Sequence, residues 1–320
     1  MLTNPYYASD DVAELRALVD ANPWATLVTD TADGLRASHY PVLLEGDEGV
    51  TLVTHVGKQD RRTLELGQHP MLVVIQGAHG YISSDWYPEG EFVPTWNHTT
   101  AHLTCSVELL SAEENFTVLQ QLVRKFEGHR PEPRLLEHQG EAAHRAARGT
   151  LGLRLRVESF EMLRKLSQNK PPEVVRRLVD ELRRHPRDYN AMLADDMERA
   201  NAARDLRATH LQLAVTAGLR AAQRTGYRPT AFMRTLAREG VVPAVREHLA
   251  DGTTVAGLAA LQEGGQLVDS IEAQVVLPWF APLFSDDEVA VARARLEALG
   301  FDATAHVGGT ESPDWAAALT

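Results

Sequence analysis

Residues 24–54 read WATLVTDTADGLRASHYPVLLEGDEGVTLVT. They hold three apolar, β-branched runs, Ala25 to Thr29, His39 to Leu44 and Val50 to Thr54, separated by Asp33-Gly34 and by Glu45 to Gly49. Runs of this length between turn residues predict strands, and connections this short leave no room for crossover helices. The pattern continues outward in Met71 to Gln76, Ala101 to Leu110 and Leu151 to Val157, with Gly77 to Gly80 expected as a further bend. Six or so such strands predict a mainly antiparallel sheet or a small barrel.

Few helices interrupt this region. Val12, Leu15, Leu18 and Val19 fall at helical spacing within Asp10 to Asp20, behind Ser9 and Asp10 as candidate caps. Ser111 followed by Glu114 predicts a capping box, and Phe116, Leu119, Leu122, Val123 and Phe126 form the expected apolar stripe of a helix between two strands. Gly128 to Gly149 reads as a loop or weak helix. Pro171-Pro172 opens a basic helix over Glu173 to Arg184, ended by Pro186. A division at residue 187 is expected, because beyond it the pattern becomes helical: Asn190 to Gln223, Thr230 to Glu239, Val242 to Asp251, and Asp286 to Leu299 behind Ser285. Thr230 reads as an N-cap, Trp279 to Phe284 as an aromatic core strap or a partner-docking edge, and Gly308 to Thr320 as a tail. The expected architecture is α+β, with domain 1–187 followed by a mainly α-helical domain 188–320.

The 320 residues are 44% hydrophobic and 24% charged, which excludes disordered and fibrous classes. Forty-four acidic against 32 basic side chains give a net charge of −12. Both parts are acidic: residues 1–187 hold 21 basic and 26 acidic side chains, and residues 188–320 hold 11 and 18. That balance counts against DNA as a partner. No run of 18 apolar residues and no charged, apolar leader is present, so no membrane association and a cytoplasmic location are expected. Cys105 is the single cysteine, which excludes an internal disulfide framework and a thiolate zinc cage.

Three clusters could carry chemistry. Tyr81-Ile82-Ser83-Ser84-Asp85-Trp86-Tyr87, followed by Thr95-Trp96-Asn97-His98, offers rings for stacking and Ser83, Thr95 and Asn97 for hydrogen bonds, as the wall of a site for a flat polar ligand would; aromatic packing around a turn is the alternative. Thr54 to Arg62 ends a strand and opens a helix beside Lys58, Arg61 and Arg62, so it could anchor a phosphate; a surface charge run is the alternative. Lys165-Leu166-Ser167-Gln168-Asn169-Lys170 is a compact donor set after the last strand that could close the same pocket, or a polar linker. No His-x3-His pair with a carboxylate partner suits a metal, since His98 and His102 fall on a strand. The nucleophile turn Gly-x-Ser-x-Gly of hydrolases is absent.

In order and spacing these elements resemble the PaiB family of FMN-binding "negative transcriptional regulator" proteins, over roughly residues 1 to 185. Asn4-Pro5-Tyr6-Tyr7, Ala37-Ser38-His39-Tyr40-Pro41, Thr54 to Arg61, Tyr81 to Tyr87, Val93-Pro94-Thr95-Trp96-Asn97-His98 and Lys165 to Lys170 match successive family motifs. Gly57, Asp60 and Arg61 stand where the family has Ala, Asn and Pro; Ser84 replaces a Pro and His98 a Tyr. The resemblance implies a split β-barrel of the flavin reductase-like kind, working as a homodimer with FMN at the interface. It implies a cofactor set of His39, His55, Lys58, Arg61, Tyr81, Ser83, Thr95, Trp96, Asn97, Lys165, Ser167 and Gln168, with the substrate left open.

The barrel also resembles haem-dependent piperazate synthases, which act on an N-hydroxylated amino acid. On that alternative haem replaces FMN, with His55 as the axial ligand and His98 as the second choice. A third reading is a regulator without catalysis.

Overall fold

The computed structural model describes residues 7–88, 93–185, 190–202, 205–224, 226–251 and 255–317. The motif residues Asn4 to Tyr6, the terminator Pro186 and the expected division at residue 187 lie outside them. Two compact units are present: Ala8–Gly80 with Trp96–Arg164, and Tyr81–Thr95 with Lys165–Thr320, the latter joined by Tyr7. They are delimited differently from the change in sequence character at residue 187, because the segment Tyr81–Thr95 and the helix opened by Pro171-Pro172 group with the later helices.

Seven strands run β1 (Ala8–Ser9), β2 (Trp24–Thr31), β3 (Gly34–Leu44), β4 (Thr51–Gly57), β5 (Met71–Ile82), β6 (Thr95–Leu109) and β7 (Thr150–Lys165). Their order is β1-β7-β4-β3-β2-β5-β6, and a further β7–β6 pairing closes six of them into a ring. The β1–β7, β7–β4, β4–β3, β3–β2 and β2–β5 ladders are antiparallel. This is a split β-barrel within an α+β fold, as expected. Alternation places Ala25 and Leu27 of β2, Leu52 and Val56 of β4, and Val73 and Ile75 of β5 in one core.

The barrel's helices are α1 (Val12–Ala21), α2 (Asp60–Thr63), α3 (Ala112–Glu127) and α4 (Glu141–Ala147). Helix α1 sends Leu15, Leu18 and Val19 into the core, and its cap is Asp11 rather than Ser9 or Asp10. Asp11 is the last extended residue, and its carboxylate accepts from the N–H groups of Ala13 and Glu14. The Ser111/Glu114 capping box of α3 is present. The face of α3 that is buried is Asn115, Val118 and Leu122, with Phe126 exposed. The helix is turned about one residue from the expected stripe, since Val118 and Leu122 pack on Leu43, Val53 and Leu110 outside the barrel.

The expected bend at Gly77 to Gly80 is instead the interior of β5. Gly77 serves close packing: a Cβ there would lie 2.8 Å from Leu18 Cδ1 and 3.3 Å from the Thr99 carbonyl oxygen. Gly34, at φ +92, does turn the β2–β3 hairpin, pairing with Thr31.

The second unit holds α5 (Pro172–Arg184), α6 (Asn190–Ala202), α7 (Leu206–Arg224), α8 (Thr230–Glu239), α9 (Val241–Ala250), α10 (Val255–Glu263), α11 (Ile271–Val275), α12 (Asp286–Ala298), α13 (Ala303–Gly309) and α14 (Asp314–Ala317). Leu211, Val215, Val245, Leu249, Phe280, Phe284 and Leu296 form much of its core, so the strap Trp279 to Phe284 is core packing. Two expectations fail. Thr230 is the first helical residue behind Pro229 and makes no side-chain cap. The supposed tail carries α14, where the Trp315 ring stacks on His210 at 4.1 Å, because a large apolar ring gains more from the core than from solvent. Among the described residues no helix is long and apolar enough to cross a membrane.

Candidate functional site

In the barrel unit the strongest feature lies where β4 gives way to α2. Lys58, Arg61 and Arg62 border a cleft of about 550 Å3 whose other walls are Leu66, Gly67, Gln68, Val107 and Leu109. None of the three cations has a carboxylate partner among the described residues. Asp60 sits between them in sequence, but its Oδ2 accepts from Tyr40 Oη at 2.7 Å and from Ser38 Oγ at 3.3 Å. Tyr40 Oη in turn accepts from the Gly57 N–H at 3.0 Å. The acid that departs from the family motif therefore pins α2 to β3 and leaves the neighbouring cations to the cleft. Gly57 is not required by space, since a Cβ would meet Tyr40 Oη at an ordinary 3.6 Å.

His55 projects from β4 beside the Tyr40 ring, edge-on at 6.0 Å between centroids. Burial lowers the pKa of its imidazole, which favours the neutral form. Its Nδ1 is enclosed and has no hydrogen-bond partner. A ligating imidazole ordinarily donates from its second nitrogen to an acceptor that fixes tautomer and ring orientation. His55 has a ligand's protonation state without that orienting acceptor, so the residues present fit an axial haem ligand poorly. Among the described residues no group of three His, Cys, Asp or Glu side chains could hold a metal ion.

The other expected residues fall in three places. His39 is exposed on β3 and stacks with Trp24 at 6.4 Å and 18°. Trp96 is also exposed and stacks on His79 at 6.5 Å and 27°, while Asn97, its neighbour on β6, is fully buried. In the second unit, Ser83 Oγ accepts from the Asp85 N–H at the start of a single 3-10 turn, Ser84–Trp86, and Tyr81 is exposed. Lys165 Nζ donates to Thr95 Oγ1, so these two expected residues do meet. Ser167 and Gln168 belong to the loop that follows. Gln68 and Asn201 carry no spacing signal; the first borders the cleft and the second donates to the Leu166 carbonyl from far along the chain.

The barrel is thus a closed ring of six strands beside a cationic cleft whose lysine and arginines have no carboxylate partner among the described residues. Residues 1–159 match the family model described as "Putative FMN-binding domain", and the barrel part of this chain belongs to that family. The chain is 28% identical over 197 residues, 60% of its own length and 94% of the other's, to the protease synthase and sporulation protein PAI 2 of Bacillus subtilis. Among solved structures it is similar to the FAD and haem binding protein from Mycobacterium smegmatis, with a TM-score of 0.39 and 18% identity over 49% of this chain and 73% of that one. It is also similar to the flavocytochrome Anf3 from Azotobacter vinelandii, with a TM-score of 0.38 and 15% identity over 49% and 68%.

Proposed function

We propose that the barrel binds FMN, with the phosphate in the Lys58, Arg61 and Arg62 cleft, and that the chain is a flavoprotein acting as a homodimer. The observation that carries this reading is the cleft itself. Three cations without carboxylate partners face a space walled on one side by Val107 and Leu109, which suits a phosphate joined to an apolar ring system. When bound, the flavin supplies the redox chemistry, in catalysis or as a regulatory signal. The chain's part is to anchor the phosphate, to offer Trp96 as an exposed ring for stacking, and to hold polar groups toward the ribityl chain.

The dimer part of the proposal rests on the outer barrel face. Trp24 is 64% and Leu35 73% exposed, and Leu72, opposite Val28 in the β2–β5 ladder, is exposed as well. Large apolar side chains on neighbouring strands of one sheet suit a second copy of the same surface. Sedimentation velocity should show a dimer that Trp24→Glu shifts toward monomer; a monomeric parent chain refutes this part.

Flavin binding is tested by titrating the purified chain with FMN and with riboflavin, followed by flavin fluorescence. FMN is expected to bind at least about tenfold more tightly than riboflavin, the scale of charge-assisted contacts to a phosphate. The double variant R61Q/R62Q should remove most of that difference. Equal affinities would refute the phosphate assignment, and no binding of either flavin at micromolar concentration would refute the flavin reading.

A further inference from the structure

We propose that the second unit carries a binding cleft for a small organic ammonium ion, formed where Trp279 and Phe280 meet α7, α13 and α14. The cleft lies wholly within that unit and does not depend on the flavin reading.

The cleft measures about 480 Å3, within the range of small-molecule sites. Its apolar walls are largely aromatic. Trp315 stacks on His210 at 4.1 Å and lies 5.6 Å from Phe280 at 31°, while Trp279 meets Phe280 edge-on at 6.3 Å and 68°. Trp279 is only half-buried, and among the described residues no ring stacks on it. An indole face is the strongest aromatic partner of a cation, because the ring quadrupole puts negative potential there.

The polar lining calls for the same sign of charge. Three of its side chains give a hydrogen to a backbone carbonyl: His306 Nε2 to Ala273 at 3.1 Å, Gln274 Nε2 to Val268 at 2.9 Å, and Thr310 Oγ1 to His306 at 2.7 Å. What they keep is mainly lone pairs. The first contact puts the proton of the neutral imidazole on Nε2 and leaves Nδ1 as an acceptor, and Gln274 keeps its Oε1. Glu311 adds an exposed carboxylate. Among the described residues it has no cationic partner, and no lysine or arginine lines the cleft. An anion would meet lone pairs and a like charge here, whereas a neutral apolar molecule would leave the carboxylate unused. An ammonium group on an apolar body suits both halves, with N–H donors for Glu311 and His306 Nδ1 and ring faces for the body. Residues 188–320, with 11 basic and 18 acidic side chains, also draw a cation by their overall charge.

The test uses two probes that differ only in the charged group. 2-Phenylethylammonium and 2-phenylethanol, which share ring and chain, are each titrated calorimetrically at low salt into the full chain. The ammonium ion is expected to bind at least about tenfold more tightly than the alcohol, the scale of a charge-assisted contact. Glu311→Gln should remove most of that difference while leaving the alcohol's affinity and the thermal midpoint unchanged, because the side chain is exposed. Glu297→Gln, an exposed position on α12 outside the cleft, makes the same change in net charge and should bind as the parent does. Trp279→Leu should weaken both probes, since both rest a ring on the aromatic wall. The proposal is overturned by equal affinities for the two probes, by no binding of either at millimolar concentration, or by a Glu311→Gln chain that binds the ammonium ion as the parent does.

Discussion

The two units bury polar groups in different ways. Among the described residues the barrel interior encloses only neutral ones, such as Thr29, Thr54, Asn97 and Thr99, whereas the helical unit encloses Glu272, 1% exposed. In a closed ring the ladder satisfies the backbone, so no ionised side chain is needed to finish it. Helices leave carbonyls unpaired at their C-termini. Arg295 donates to the carbonyls of His248 and Leu249, at the end of α9, and of Asp251 beyond it, at 3.1, 2.8 and 2.8 Å. A guanidinium drawn this far inward needs a counter-charge. Glu272 supplies it at 3.3 Å and accepts from His248 Nε2 at 2.9 Å. Burial pushes the Glu272 carboxyl up, but the His248 contact, aided by Arg295, outweighs it and leaves the pKa below its ordinary value.

The largest way to break this contrast is to remove the counter-charge. Glu272→Ala should destabilise the helical unit by about 1–3 kcal/mol, because it leaves a half-buried guanidinium without its counter-charge. Circular dichroism during urea unfolding would register the loss. An unchanged midpoint would show that Arg295 is satisfied by the carbonyls alone. The acid dependence has a definite sign: Glu272 contributes stability above the ordinary carboxylate pKa, lost as the pH falls through its lowered folded value.

The barrel's counterpart is steric. Gly77→Ala places a methyl 2.8 Å from Leu18 Cδ1 and should be destabilising by about 1–3 kcal/mol. Since the nearest obstacle is a side-chain end, Leu18→Ala in the same chain should recover part of the loss, which unfolding of the double variant would measure. Full additivity of the two losses would show that Leu18 is not the obstacle.

A motif common to both units sharpens the comparison at smaller scale. Ser111 with Glu114 and Ser285 with Glu288 are complete capping boxes. Ser111→Ala and Ser285→Ala should each be destabilising by about 1 kcal/mol. Equal losses would make the cap a local device, whereas unequal ones would mean that the host unit sets its value.

What the sequence announces follows the same division. Strands were legible where alternation is backed by burial, as in Ala25 to Thr29. They run longer than their apolar runs because residues such as Leu35 to Ala37 are exposed yet still pair in the ladder. Caps and helix starts were legible at Ser111, Pro171-Pro172 and Ser285, but not at α1, where Asp11 rather than Ser9 or Asp10 is the cap, nor at Thr230, which makes no side-chain cap. Gly77 was misread because a glycine that turns the chain and one that admits a neighbour look alike in sequence. For the site, Lys58, Arg61 and Arg62 were readable as one cationic turn. Asn201 was not, since it reaches the Leu166 carbonyl only through the packing of α6, and no local pattern encodes that meeting.

The smallest effect expected concerns His55, the one imidazole on β4. Its folded pKa is lowered by burial, so over a pH window at and below the ordinary histidine value the unfolded chain binds more protons than the folded one. Its contribution is therefore present above that value and is lost as the pH falls through it toward the lowered folded one. Nothing hydrogen-bonds its Nδ1 to offset the charged form. The barrel should thus lose stability on mild acidification, and His55→Gln, which keeps polarity but cannot titrate, should flatten that slope while leaving the stability above pH 7 nearly unchanged. Urea midpoints of the parent and the variant between pH 5 and pH 8 would decide it. Parallel slopes would mean that the imidazole takes up its proton as readily in the fold as outside it. An enclosed, unpartnered nitrogen on a barrel strand does not permit that.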